Sequence, residues 1–327
     1  DYGGRTMLKN LNFLVCPVCK GDLIKKTRTK LLCKKCPARY EIREEIPILL
    51  PPNLEEFKML EAEYHDKEAH HYGEINMIDS YHVTYYTDKY LEIVNTLSKN
   101  SILLEVGSGD GNDANLITNS GIDVIQSDIS FEMVRLAKNN KVNSKILYTV
   151  SDAEKIPCKD NSLDAIMIVA TLHHLPSPKN FFKEARRALR PGGLLIIGFE
   201  PNSWPYLVFY PLIRFVKKVV RLDRFLNSKH SGVSIGDSET EGFSHSDFKL
   251  FLNESELELV KIQRIWFFLG YIHTILSIIN SKLPSDKTLK IPLFIQKLII
   301  MLDELILCIP IIRNLCWHWT LVAKKRK

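Results

Sequence analysis

The chain lacks any uninterrupted run of about eighteen apolar residues, which leaves no segment that reads as a membrane-spanning helix. It also lacks a signal-type apolar stretch ahead of its first cysteines, so a reducing, cytoplasmic setting is expected. Seven cysteines are an odd number, which argues against a framework of disulfides. Charge is weakly unbalanced: 44 Lys+Arg against 38 Asp+Glu give +6, compatible with an anionic partner but naming none. Apolar content of 45% and charged content of 25% exclude wholesale disorder. A chain of 327 residues holds one large domain plus a small module. Residues 1–6 show no apolar pattern ahead of Met7 and are set aside as an expression remnant.

What is present begins with sulfur. Cys16 and Cys19 form one Cys-x2-Cys pair, and Cys33 and Cys36 form a second after thirteen intervening residues. Each pair fits a tight knuckle that turns both sulfurs to one point, and four thiolates close a tetrahedral zinc shell with no open position. So small a unit has too little apolar burial to fold alone, so the metal supplies its folding energy. Redox dithiols are the weaker reading, because no βαβ pattern adjoins them. Cys158, Cys308 and Cys316 stand alone, and Cys158 reads as a loop thiol.

The stretch Cys16-Pro17-Val18-Cys19-Lys20-Gly21-Asp22-Leu23, then Leu32-Cys33, then Tyr40-Glu41-Ile42-Arg43-Glu44-Glu45-Ile46-Pro47-Ile48-Leu49-Leu50, resembles a known family. It is similar to the short zinc-ribbon proteins that activate methyltransferases acting on tRNA, rRNA and release factors. Glu45 departs from the glycine usual there. The resemblance implies a ribbon over residues 7–52, of a kind often fused ahead of a methyltransferase domain.

Pro51-Pro52 ends that module. Residues 53–98 read mainly as a helical linker, with Leu54, Phe57 and Leu60 at helical spacing. Within them lies Glu63-Tyr64-His65-Asp66-Lys67-Glu68-Ala69-His70-His71-Tyr72. That run does not set three metal ligands on one helix face, so it reads as a polar helix covering a binding site.

From Ser101 the rhythm is strand, loop, helix. Strands are expected at 101–106, 124–127, 146–150, 163–169 and 194–199, with helices between them. Arg190-Pro191-Gly192-Gly193 reads as a turn ahead of the fifth strand. Alternation of this kind gives a doubly wound, mostly parallel α/β sheet.

Gly107, Gly109 and Gly111 follow the first strand and open a helix. Glycines there permit positive φ and close backbone approach, and a helix N-terminus offers free N–H donors. A dinucleotide fingerprint wants Gly or Ala at its sixth position, where this chain has Asn112. Asp128 ends the second strand, where a carboxylate can accept from both ribose hydroxyls; nicotinamide enzymes share that feature.

Glu105 before Gly107-x-Gly109-x-Gly111, then Asp128, Asp152-Ala153, Asn161-Ser162-Leu163-Asp164-Ala165-Ile166 leading into Val169-Ala170-Thr171-Leu172-His173-His174-Leu175, and Arg190-Pro191-Gly192-Gly193 occur in order. As a set over residues 99–202 they resemble class I S-adenosylmethionine-dependent methyltransferases, nearest in flavour to the ubiquinone/menaquinone type. The resemblance implies a seven-stranded sheet and S-adenosylmethionine as cofactor. It implies a cofactor site of Tyr72, Glu105, Gly107, Ser108, Gly109, Gly111, Asp128, Ile129, Asp152, Ala153, Val169 and Ala170. His173 and His174 follow the fourth strand, where such sheets place ligands. Either is a candidate general base, and a role in shaping the loop is the alternative.

Residues 203–240 form an apolar and basic insertion, with Arg214, Lys217, Lys218, Arg221 and Arg224 against the single acid Asp223 in 204–225. Two more apolar stretches, 265–279 and 291–312, lie between strands expected at 257–267 and 315–323, so residues 241–327 read as the end of the fold with a helical lid over about 268–312. The lid is either core packing or a surface that meets a lipid-like acceptor or the inner face of a membrane. The expected function is methyl transfer to a small, apolar or lipid-like acceptor. The alternatives are an RNA methyltransferase that uses the ribbon for contact, and a non-catalytic scaffold. Oligomeric state is left open.

Overall fold

A computed structural model describes residues 13–70, 81–117, 121–141, 146–207, 234–280, 283 and 289–327. Residues 1–6, Tyr72 and most of the 203–240 insertion lie outside the described residues.

Eleven strands form one sheet. Leu23–Thr27 (β1), Lys30–Cys33 (β2), Arg39–Arg43 (β3) and Ile46–Leu49 (β4) come from the N-terminal module. Ile102–Val106 (β5), Asp123–Asp128 (β6), Ile146–Ser151 (β7), Leu163–Val169 (β8) and Leu189–Pro201 (β9) follow, then Leu257–Ile265 (β10) and His318–Lys325 (β11). The order is β1-β2-β3-β4-β7-β6-β5-β8-β9-β11-β10. From β4 through β9 every pairing is parallel; β9, β11 and β10 pair antiparallel, as do β1 to β4. The last seven strands of that order are the expected doubly wound sheet. The four-stranded ribbon continues it, because Ile48 and Leu49 pair with Val150 and Ser151. Thr149 Oγ1 donates to the Pro47 carbonyl at 3.1 Å across the same seam.

Burial explains why the sheet is one body. β5 and β7 are buried at every residue, as parallel strands covered on both faces must be. Leu14, Leu31, Tyr40 and Ile42 of the ribbon share one apolar core with Leu104, Ile166 and Phe181 of the large domain. Lys20 ties the two together at their surface, donating to the Ile156 carbonyl and to Glu184 at 2.6 Å.

The Arg190-Pro191-Gly192-Gly193 turn proves to be a bulge inside β9. Leu189 pairs with Leu163 and Leu194 with Ala165, so the four residues loop out while the strand resumes. Gly192 takes φ +83°, and Arg190 binds both oxygens of Asp164 at 2.8 and 3.0 Å. That carboxylate also accepts from Ile102 N, which fixes the start of β5.

Helices Glu56–Glu68 (α1), Tyr81–Val94 (α2), Asn112–Ile117 (α3), Phe131–Asn139 (α4), Pro178–Ala188 (α5), Ile235–Glu239 (α6) and His245–Glu254 (α7) flank the sheet. Phe268–Asn280 (α8) and Leu293–Ile306 (α9) form the apolar segment between the last two strands. Ile299 and Ile300 of α9 and Leu269 of α8 pack with Tyr86 of α2 and Trp266. Asp303 is fully buried and accepts from Phe267, Phe268 and Leu269 N, capping α8 from α9. α9 therefore buries Gln296 and Asp303 while Leu293, Phe294, Leu298, Met301 and Leu305 are exposed. No helix of the described residues is long and apolar enough to cross a membrane.

Candidate functional site

The glycine turn sits at the C-terminal end of β5, the point where strand order reverses and open α/β sheets hold ligands. Gly107, Gly109 and Gly111 all have positive φ. A Cβ on Gly107 would meet the Thr171 side chain at 2.3 Å, so only glycine lets the β8 loop close on the turn.

A cavity of about 340 Å³ opens over these strand ends. That volume lies within the range of small-molecule clefts. Its wall takes Val106 at the end of β5 with Gly107 and Gly109 after it, Asp128 of β6 with Ile129, Ser151 of β7 with Asp152 and Ala153, and Val169 of β8 with Ala170 and Thr171. Ala170 adopts φ +47°, a left-handed conformation an L-residue holds only when its surroundings impose it. Of the residues expected from sequence, Gly107, Gly109, Asp128, Ile129, Asp152, Ala153, Val169 and Ala170 converge on this one space, with His173 and His174 beside them. Glu105, Ser108 and Gly111 are not among the residues that line it. Glu105 accepts from Gln126 Nε2 at 2.9 Å, and burial, with Asp113 nearby, pushes its carboxyl well above the usual range. Ser108 Oγ is buried with no partner among the described residues.

Local chemistry fixes the two acidic side chains. Asp128 accepts from Ser130 N at 2.9 Å and Gly109 N at 3.1 Å, one bond to each oxygen. Each oxygen keeps a second acceptor site, which suits a vicinal diol. Asp152 accepts from Glu154 N at 2.8 Å through Oδ1 and from Lys58 at 2.9 Å through Oδ2. Lys58 also reaches Glu154 at 3.2 Å, so a buried cation balances two buried carboxylates.

α1 roofs the cavity with Lys58, Glu61, His65 and Glu68. Asp66 pins it to the N-terminus of α4, accepting from Ser130 Oγ and Glu132 N. Glu61 pins it to α6, accepting from Gly236 N at 2.7 Å. The far wall is His173, His174, Leu175 and Asp237. Glu200, at the end of β9, is fully buried and holds this loop. Its Oε1 accepts from Thr171 and Leu172 N, and its Oε2 takes His173 N at 3.1 Å and His173 Nδ1 at 2.9 Å. Burial opposes a charge on His173, but Glu200 and Asp237 outweigh it and its pKa stands at about 9. Near pH 7 this ring therefore holds its proton. Likewise, burial opposes charge on His65, and Glu61 and Glu68 raise it to about 10.

Lys58, Glu61, His65, Glu200 and Asp237 were not among the residues expected from sequence. Glu61 and His65 stood four apart in a helical stretch, a spacing that puts both on one face. Glu200 closes a buried strand at the ligand end of the sheet, which is the signal that could have found it.

The cysteines meet away from the cavity. Cys16, Cys19, Cys33 and Cys36 bring their sulfurs within 4.8 Å of one another. Cys16 and Cys36 Sγ are 3.7 Å apart, and Cys19 and Cys33 Sγ 3.4 Å. Zinc–sulfur bonds of about 2.3 Å in a tetrahedron set sulfurs about 3.8 Å apart, so the four fit that ion. Tyr40 Oη lies 2.9 Å from Cys16 Sγ, and Lys35 N donates to Cys33 Sγ at 3.3 Å. Against burial, the backbone N–H groups of Lys35 and Cys36 bring Cys33 down to about 7. Cys158 is buried and pushed up to about 12, an inert thiol.

Strand order, glycine turn and the carboxylate closing β6 define an α/β domain of the class I methyltransferase type. Residues 104–197 match the family described as methyltransferase domain, and residues 8–45 match Trm112p-like protein. The chain carries a class I S-adenosylmethionine-dependent methyltransferase domain behind a Trm112-like four-cysteine segment. It is 30% identical over 110 residues to demethylmenaquinone methyltransferase of Renibacterium salmoninarum, covering 33% of this chain and 46% of that protein. It is 35% identical over 107 residues to the ubiquinone/menaquinone biosynthesis C-methyltransferase of Rickettsia bellii, covering 30% and 43%. The match thus spans less than half of either relative's length. A structure of Haemonchus contortus phosphoethanolamine N-methyltransferase 2 shares the fold at TM-score 0.52 and 16% identity, covering 86% of this chain and 61% of that one.

Proposed function

We propose that this protein transfers a methyl group from S-adenosylmethionine to a small, apolar or lipid-like acceptor. The observation that carries the first half is the convergence of the glycine turn, Asp128 and Asp152-Ala153 on one cavity. In this reading the turn takes the amino-acid end of the cofactor, Asp128 the ribose, and Asp152-Ala153 with Ile129 the adenine. Glu105, Ser108, Gly111 and Tyr72 belong to the cofactor site in this reading as residues carried over from the family motif. The cofactor supplies an electrophilic sulfonium methyl. The chain's own contribution is alignment and exclusion of water: α1 roofs the site, and Glu200 fixes the His173–His174 wall at the acceptor end. Residues 7–52 act as a zinc ribbon, with the ion completing the fold and taking no part in the transfer.

The acceptor class rests on two supports. The relatives are named for quinone methylation. The exposed apolar face of α9, with Phe294 at 72% and Leu305 at 62% exposure, suits contact with a lipid-like molecule or a membrane surface. A second reading, RNA methylation, has one observation of its own: Lys25, Lys26, Arg28 and Lys30 are exposed on the β1–β2 edge. Edge strands carry lysine for protection as well, which favours the first reading.

The test is incubation with methyl-labelled cofactor and fractionated extract. Label is expected in the lipid fraction and absent with Asp128→Ala. Label in RNA, with binding that weakens steeply as salt rises, would replace the first reading by the second. Failure of the full chain to bind S-adenosylmethionine by calorimetry would sink both and leave a scaffold.

A further inference from the structure

Beside the cofactor half of the cavity lies a second donor set that methyl transfer does not require. Glu61 and His65 come from α1, and His174 from the loop after β8. Their ligand atoms all lie within 4.8 Å of one another, and all three residues face the cavity. Glu61 Oε2 is 2.9 Å from His174 Nδ1 and 3.5 Å from His65 Nε2. Two donors bound to one ion at about 2.1 Å and roughly at right angles to tetrahedral angles apart are about 3.0–3.4 Å from each other. The observed spacings bracket that range.

The surroundings are arranged as outer shells of metal sites are. His65 meets Glu68 through Nδ1 at 2.9 Å, which leaves Nε2 aimed at the shared point. A carboxylate on one ring nitrogen fixes the tautomer and raises the basicity of the other. Glu61 uses its second oxygen on Gly236 N, so Oε2 is held in place. Beside His174, the neighbouring His173 repeats the motif, with Nδ1 on Glu200 and Nε2 turned inward toward Asp237 at 3.3 Å.

We propose that Glu61, His65 and His174 form a divalent-cation site at the acceptor end of the cavity, separate from the sulfur cluster. Two imidazoles and one carboxylate select a first-row ion of intermediate hardness, such as Fe²⁺, Co²⁺ or Zn²⁺, over the soft thiolate-preferring ions. Three protein ligands leave positions open toward the cavity, which is the mark of a site that takes a further ligand. That ligand is an oxygen donor of the acceptor, a hydroxyl or a phenol-type oxygen. This part rests on the methyl-transfer reading, whereas the site itself does not.

The experiment uses the full chain with its ribbon filled with zinc, titrated with Co²⁺ and followed by absorption. Nitrogen and oxygen ligands give weak visible bands, whereas cobalt in the cysteine cluster gives an intense near-ultraviolet thiolate band. The expected result is visible bands that saturate at one Co²⁺ per chain, with no thiolate band. Glu61→Gln is expected to weaken that titration more than tenfold, and Glu68→Gln, an outer partner, by about tenfold. Retention of one zinc per chain shows that the variants are folded. Absence of the visible bands in the unaltered chain, or titrations that do not change in the variants, would overturn the site. Neither outcome depends on methyl transfer, so a failure here leaves the activity standing.

Discussion

The two donor clusters of this chain are built on opposite principles. Four sulfurs come from residues close in sequence and meet on the ribbon, and four thiolates on one ion complete a tetrahedral shell. The histidine–carboxylate set is gathered from α1 and the β8 loop, with Glu61 and His174 separated by 113 positions, and it opens onto the cavity. A closed shell can hold a fold together; an open one can meet a substrate. On the reading proposed above, the contrast gives the ribbon to architecture and the histidine wall to chemistry.

The largest effect tests the architectural half. Cys33→Ser removes one sulfur from the proposed zinc shell, and structural zinc is worth about 10–16 kcal/mol in zinc-finger peptides. The loss does not stay local, because β4 pairs directly with β7 and Leu31 and Tyr40 share the main core. The variant is expected to lose its zinc, measured by elemental analysis, and to melt well below the unaltered chain. Unchanged melting with zinc absent would show that the sheet seam holds the ribbon without metal, and the two clusters would no longer differ in kind.

An intermediate effect tests the chemical half. Glu200 accepts four donors, two on each oxygen. Glu200→Gln turns one acceptor into a donor that faces N–H groups, at a cost of about 1–3 kcal/mol. The β8 loop shifts, while the glycine turn and Asp128 keep their own bonds. Turnover is therefore expected to fall at least about tenfold, with cofactor affinity, read by calorimetry, within about threefold. An equal loss of both would mean that Glu200 supports the whole site and not its acceptor wall.

How much was legible follows the same divide. The cysteine spacing and the glycine turn are local patterns, so the sequence displayed both; the five parallel strands followed from the alternation of strands and helices, and the seven-stranded sheet from the family resemblance. The fusion of ribbon and core into one sheet was not legible, since pairing of Ile48 with Val150 depends on contacts a hundred residues apart in the chain. His173 and His174 stood out at the ligand end of the sheet, but their meeting with Glu61 and His65 was not legible, because Glu61 and His174 lie 113 positions apart. His65 was weighed only against its own helix, and the ligand that completes the set is His174. One local signal was passed over: Ser244 and Asp247 form a capping box that announces α7. The apolar stretch at 291–312 was legible as apolar but not in its facing, because α9 turns its polar Asp303 inward to cap α8.

The smallest effect sharpens the comparison through a charge that neither cluster uses. Glu105, just before the glycine turn, is buried with Gln126 Nε2 as its partner, and its charged neighbours among the described residues are the acids Asp113, Asp110 and Asp128. Burial and Asp113 raise its folded pKa well above the unfolded value, and Asp113 itself stands at about 6. A carboxyl raised in this way binds its proton more tightly in the folded chain than in the unfolded one. Its contribution is therefore present below the unfolded pKa, near 4.3, and is lost as pH rises through the folded value. Glu105→Gln keeps an acceptor for Gln126 and removes the titration. The variant is expected to melt a few degrees above the unaltered chain at pH 8 and together with it near pH 4, as thermal unfolding at the two pH values would show. A variant that melts lower at pH 8 would mean that the turn needs the carboxylate.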